Sequence, residues 1–197
     1  PTIMKILILL VVLFAFLGCT DSTTGSKLMV SEPVDLDLTE NNPEYLDKGS
    51  VTINGKLPLI SKTSTLYELL GKPDSLVSPD FDFICVSYFD KDFKYGYFEK
   101  SQFEIYGDTS VAVSIDFLGK RLFELKTPKL ALTKGTTLVE LAKIFPNSVK
   151  EKFEINVSGI GKTIAVRIPI SKEPADDSWL FLFLDGKLFR IDYYMPC

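Results

Sequence analysis

Two blocks of this sequence occur twice, in the same order. ISKTSTLYEL (60–69) aligns with LTKGTTLVEL (132–141), with Lys, Thr, Leu, Glu and Leu identical. PDS (73–75) then aligns with PNS (146–148), and FLGKRLFEL (117–125) with FLDGKLFRI (183–191). The spacings run from 66 to 73 residues. Recurrence constrains a fold more than composition does, because each copy must bury the same faces in the same way.

The first block reads as a helix start. Thr65-x-x-Glu68 and Thr137-x-x-Glu140 are capping boxes, in which hydroxyl and carboxylate satisfy backbone donors that a helix leaves free. Leu66, Leu69 and Leu70 give the first helix an apolar face, and Leu138, Leu141, Ala142 and Phe145 give one to the second. Gly71 and Pro73 stop the first, and Pro146 the second. The second block reads as a hairpin, turning at Gly119-Lys120 and at Asp185-Gly186. Alternation puts Phe123 with Leu125, and Phe189 with Ile191, on one face. Further strands are predicted over 81–89, 101–107, 109–117, 152–158, 162–170 and 178–184, and either a strand or a hairpin turning at Asn54-Gly55 over 51–59. The expected fold is α+β, with two tandem helix-plus-antiparallel-sheet repeats over 51–128 and 129–197 and the helices on one face.

Ahead of the repeats, Lys5 precedes twelve apolar residues, Ile6 to Leu17. A spanning helix needs roughly 20. Twelve suits the apolar core of a secretory signal peptide, residues 1–18. Phe16-Leu17-Gly18-Cys19 resembles the lipobox of bacterial lipoproteins. That resemblance implies cleavage after Gly18, acylation of Cys19 and attachment to a membrane. Thr20, where an aspartate would imply inner-membrane retention, implies the outer membrane. Residues 19–50 are polar and acidic without a sustained apolar period, and read as a flexible tether.

The 26 acidic and 22 basic residues leave a net charge of −4, with no basic cluster of the kind that displaces phosphate counterions, so no nucleic-acid partner is expected. There is no histidine. This removes the commonest general base, the Ser-His and Cys-His pairs and most zinc sets, and no cofactor or metal site is nominated. Asp90-x-Asp92 hints at a calcium loop, but Lys94 stands in the fifth position and Ser101 in the twelfth.

YFDKDFKYGYF (88–98) holds six aromatics in eleven residues. It reads either as an exposed aromatic hairpin that meets a partner through Tyr88, Phe93, Tyr95, Tyr97 and Phe98, or as a strand pair with one face in the core. Trp179, after Asp176-Asp177, is either core or a platform for a glycan or partner. Outside the cytoplasm Cys85 and Cys197 either form a disulfide, contributing ~2–4 kcal/mol, or stay a buried thiol and a frayed terminus.

TSTLYELLGKPDS, an aromatic strand and SIDFLGKRLFEL resemble the small outer-membrane lipoproteins of the barrel-assembly machinery. TTLVELAKIFPNS with DDSWLFLFLDGKLFRI repeats the pattern, and the tandem is similar to the β-lactamase inhibitory protein fold over residues 57–194. The resemblance implies a protein-binding module and not an enzyme. The expected function is a lipid-anchored envelope protein that binds a protein partner; the alternative is an envelope glycan or small-ligand binder using surface aromatics.

Overall fold

The structure, a computed structural model, describes residues 44–80, 84 and 86–196. The expected leader, Cys19, Cys85, Cys197 and the tether up to residue 43 lie outside the described residues. The chain is α+β and mostly antiparallel. Among the described residues nine strands form one large sheet, in the order β10 (Phe153–Val157), β11 (Gly161–Pro169), β12 (Ser178–Leu184), β13 (Lys187–Tyr194), β7 (Thr109–Asp116), β6 (Ser101–Tyr106), β5 (Lys94–Phe98) and β4 (Ser75–Val77), with β3 (Ile60–Lys62) beside part of β7.

The large sheet is drawn from two successive runs of elements. The first half runs α1 (Thr63–Leu70), β4 (Ser75–Val77), β5 (Lys94–Phe98), β6 (Ser101–Tyr106) and β7 (Thr109–Asp116). The second runs α2 (Leu138–Ala142), α3 (Pro146–Lys150), β10 (Phe153–Val157), β11 (Gly161–Pro169), β12 (Ser178–Leu184) and β13 (Lys187–Tyr194). Each half's four strands form an antiparallel meander, and the meanders join where β7 pairs β13 through Ile115↔Ile191. The rest of that edge of β7 pairs β3 (Ile60–Lys62). The matching stretch of β13 meets the entry to α2, where Leu188 N donates to Thr136 O at 2.8 Å. A small sheet, β2-β1-β8-β9, ties β1 (Thr52–Ile53) and β2 (Leu57–Pro58) to β8 (Leu125–Lys126) and β9 (Ala131–Leu132).

One core cluster joins both halves. Phe98, Phe103 and Ile115 pack with Phe181, Phe183 and Ile191, under Leu66 of α1 and Leu141 of α2. The buried apolar helix residues, Leu66 and Leu141, belong to this cluster and Val149 of α3 packs against it, so the helices cover one face of the large sheet. On the other face of β10–β13, Val157, Ala165, Leu180, Leu182 and Phe189 form a smaller cluster. β12 is therefore buried on both faces from Ser178 to Phe183, as its unbroken apolar sequence requires.

Several local expectations change. The Thr137 capping box forms, with both of its bonds present. The Thr65 box does not: α1 starts at Thr63 after Lys62, and Thr63 N donates to Asp108 O in the β6–β7 turn at 2.7 Å. The turn supplies the acceptor that would otherwise fall to a cap. The second helix, expected to run to Phe145 and stop at Pro146, ends at Ala142; Phe145 leaves helical geometry and Pro146, fixed in φ, opens a further helix, α3. Asp185 (φ 50°) and Gly186 (φ 74°) make the expected I′ turn. Gly119-Lys120 makes no hairpin; 117–124 leaves the large sheet for β8, and the first half's hairpin turns at Gly107-Asp108 instead. A bulge in β12–β13 between Leu182 and Phe183 puts Phe189 and Ile191 in different clusters, so they do not share a face.

Residues 44–50, expected within the tether, pack against the fold. Leu46 is buried, its N–H donates to Pro169 O at 2.9 Å, and its carbonyl accepts from Trp179 Nε1 at 2.7 Å. The Glu44 carboxylate accepts from Asn147 N and Ser148 N at 2.7 and 2.8 Å, supplying the partners that the first turn of α3 lacks.

Candidate functional site

The predicted aromatics are gathered by the stretch that enters β5. Residues 86–89 were expected as strand and are not. Two of their backbone donors go to side chains: Tyr88 N donates to Glu104 Oε2 at 2.9 Å and Phe89 N to the Tyr106 hydroxyl at 3.1 Å. A donor held by a side chain is not available to a sheet ladder. The segment is thus fastened to β6, and its rings meet those of the sheet.

The result is a continuous row of rings. Tyr97 neighbours Tyr95 at 6.4 Å, Tyr95 meets Phe93 at 4.9 Å, and Phe93 meets Tyr106 at 5.3 Å. Tyr106 meets Phe89 at 5.1 Å, and Phe89 meets Tyr88 at 4.9 Å. Tyr88 meets Tyr193, and Tyr193 meets Trp179, both at 5.6 Å. These separations fall within the usual range of favourable ring pairs.

Five of the six nominated residues stand on this row: Tyr88, Phe93, Tyr95, Tyr97 and Trp179. They do not play one role. Trp179 is 2% exposed and Phe93 6%, so neither offers a contact surface. Phe98 is off the row and 0% exposed, packed on Phe103 in the core. Alternation along β5 explains the split, since Phe98 points to the core and Tyr95 and Tyr97 to the other face. Tyr88, Tyr95 and Tyr97 are half-buried and keep ring area at the surface.

Tyr106, Tyr193, Glu104, Asp192 and Lys48 were not nominated. Glu104 is 2% exposed and accepts from the Tyr106 hydroxyl at 2.5 Å as well as from Tyr88 N. Burial raises its pKa, and the two hydrogen bonds oppose the rise. Burial, then the bond to Glu104, pushes Tyr106 up to about 12. Tyr95 is raised by burial and by the charge of Glu104. Asp192 is raised by burial against the opposing pull of Arg190, whose guanidinium lies 3.0 Å away; it also accepts from the Ser114 hydroxyl at 2.7 Å. Tyr193 is raised by burial and by donating to Asp177. An acidic residue in an alternating strand was the one signal for Glu104, and its partners come from sixteen residues before and two after.

Glu104 and Asp192 line one pocket of about 320 Å³ with Tyr95, Gln102 and Ser114. Both carboxylates are engaged by neighbours. Their chemistry here is that of acceptors which hold the 86–89 segment and the β7–β13 junction. Among the described residues there is no cluster of three metal-ligating side chains, and no helix is long and apolar enough to cross a membrane. No protein-family model matches the chain, and neither a curated protein nor a solved structure is significantly similar to it.

Proposed function

We propose that this chain is a lipid-anchored, non-enzymatic protein of the bacterial envelope, held through Cys19 at the outer membrane. It binds a protein partner over the outer face of β5 and β6. We also read its two halves as tandem copies of one unit. Three correspondences support the copies: both halves place helix before meander, both hand their last strand to the junction, and both set a helix start on a hairpin turn. In the first half Thr63 N reaches Asp108 O at 2.7 Å; in the second Leu138 N reaches Gly186 O at 3.4 Å.

The observation that carries the binding reading is the outer end of the ring row. Tyr95 and Tyr97 lie side by side, half-buried, on a face stiffened behind them by Phe93, Tyr106 and Glu104. Tyrosines held in place present apolar area and a polar tip with little ordering left to lose, the property that makes them interface anchors. Crosslinking in native membranes with mass spectrometry identifies the partner and the acyl group on Cys19. Tyr95→Ala and Tyr97→Ala then each weaken capture of that partner at least tenfold, about 1.4 kcal/mol. Undiminished capture by both variants rejects the face. An enzymatic reading would rest on Glu104 and Asp192, and both already serve as structural acceptors.

A further inference from the structure

A second pocket, also about 320 Å³, shares Tyr193 with the first, and most of its wall is apolar: Pro58, Leu59, Ile60, Val111 and Ala112. At ~30 Å³ per water it holds roughly ten waters' volume, at the small end of ligand sites. Its charged groups are Lys48 and Asp47. Asp47 is exposed and turned to Gly49, where an added Cβ would come within 3.1 Å of its Oδ2. Lys48 is half-buried and forms no ion pair among the described residues. Its ammonium lies 5.0 Å from the Tyr88 ring centre and 5.6 Å from that of Tyr193, and donates to the Tyr193 hydroxyl at 3.3 Å. That hydroxyl in turn donates to Asp177.

This is a cation partly stripped of water and held between two rings beside an apolar pocket. Ring faces and one hydroxyl, with the Asp177 carboxylate only behind that hydroxyl, compensate it less fully than a direct ion pair does. The complementary guest has one negative head and an unbranched apolar body. We propose that this pocket binds a medium-chain carboxylate, its head on Lys48 and its chain against Leu59, Val111 and Ala112. The site does not depend on the protein-binding reading.

Titration calorimetry of the full chain with octanoate, octan-1-ol, octylammonium and N-acetyl-leucyl-leucine tests it. Octanoate binds saturably at one site and at least tenfold tighter than the other three. It also changes the emission of Trp179, which contacts Tyr193. Lys48→Met weakens octanoate at least tenfold and leaves octanol and the far-ultraviolet dichroism unchanged, and Lys48→Arg restores binding. Absence of saturable octanoate binding, equal affinity for octanol or octylammonium, or full octanoate affinity in Lys48→Met overturns the proposal. Preference for the dipeptide assigns the pocket to a peptide carboxyl end and overturns it as well.

Discussion

Between β4 and β5 the first half carries sixteen residues, 78–93; between β10 and β11 the second carries three, 158–160. The strands on either side are otherwise comparable. Phe103 in β6 and Phe181 in β12 each stand four residues before a hairpin turn and point into the shared core. The residues after them face outward and differ in kind: Glu104 in the first half, Leu182 in the second, both buried. A buried leucine needs only apolar neighbours, and Ala165, Leu180 and Phe189 provide them. A buried carboxylate needs donors, and the long segment brings one as Tyr88 N. The short connection makes a sealed sheet face, and the long one a face of rings and polar groups where ligands and partners have something to recognise.

The most damaging way to break this comparison is through what the halves share. Phe103→Ala and Phe181→Ala each cost about 3–5 kcal/mol, because both leave holes in one close-packed core. Denaturant unfolding followed by Trp179 emission and by far-ultraviolet dichroism gives one coincident transition in both variants. Two transitions would make the halves separate folding units.

Glu104→Leu gives the first half the second half's solution. The leucine leaves Tyr88 N and the Tyr106 hydroxyl without their acceptor, at about 1–3 kcal/mol for each donor that stays dry. The loss appears as a lower denaturation midpoint and as faster amide exchange at Tyr88. Unchanged exchange there would mean that the carboxylate does not hold the segment.

Capping sharpens the contrast at smaller scale. Thr137→Ala removes the hydroxyl that accepts from Glu140 N, leaves the backbone N–H of residue 137 on the Glu140 carboxylate, and costs about 1 kcal/mol. Thr65→Ala, in the same motif, changes stability by less than ~0.5 kcal/mol, since Thr65 sits inside α1 and the helix start is held by Asp108 O. Equal losses would restore the symmetric reading of the motif.

That pair of threonines shows what local sequence carries and what it does not. The strands over 101–106, 109–116 and 153–157, and the Asp185-Gly186 turn, are legible because strand composition and turn residues are signals that lie within a few residues. The Thr65 box fails because the competing acceptor arrives from a turn more than forty residues away. The strand expected over 81–89 is missed over its described part for the same reason: the donors of Tyr88 and Phe89 are taken by Glu104 and Tyr106. Density of aromatics found the site's neighbourhood, yet only the pairing register separates outward Tyr95 and Tyr97 from inward Phe98. Lys48 carried no signal, since its environment is made by two tyrosines 40 and 145 residues further on.

The smallest expected effect decides what governs Glu104 itself. Burial favours its neutral form, while the Tyr106 and Tyr88 bonds favour the carboxylate. With burial the larger, the folded chain binds this proton more tightly than the unfolded chain does. The contribution to stability is then fully present below the ordinary value of 4.5 and is lost as pH rises through the raised folded value. Glu104→Gln cannot titrate, so the stability of the wild-type chain relative to this variant falls as pH rises from about 4 toward neutral. Thermal unfolding of both proteins across that interval measures the trend. Asp192→Asn follows the same sign, with Arg190 opposing it. A relative stability that grows with pH would show that the hydrogen bonds outweigh burial. In that case the long segment would do more than occupy the outer face: through the Tyr88 N–H it would keep a charge beneath it, and the polar character of the site would depend on the segment staying in place.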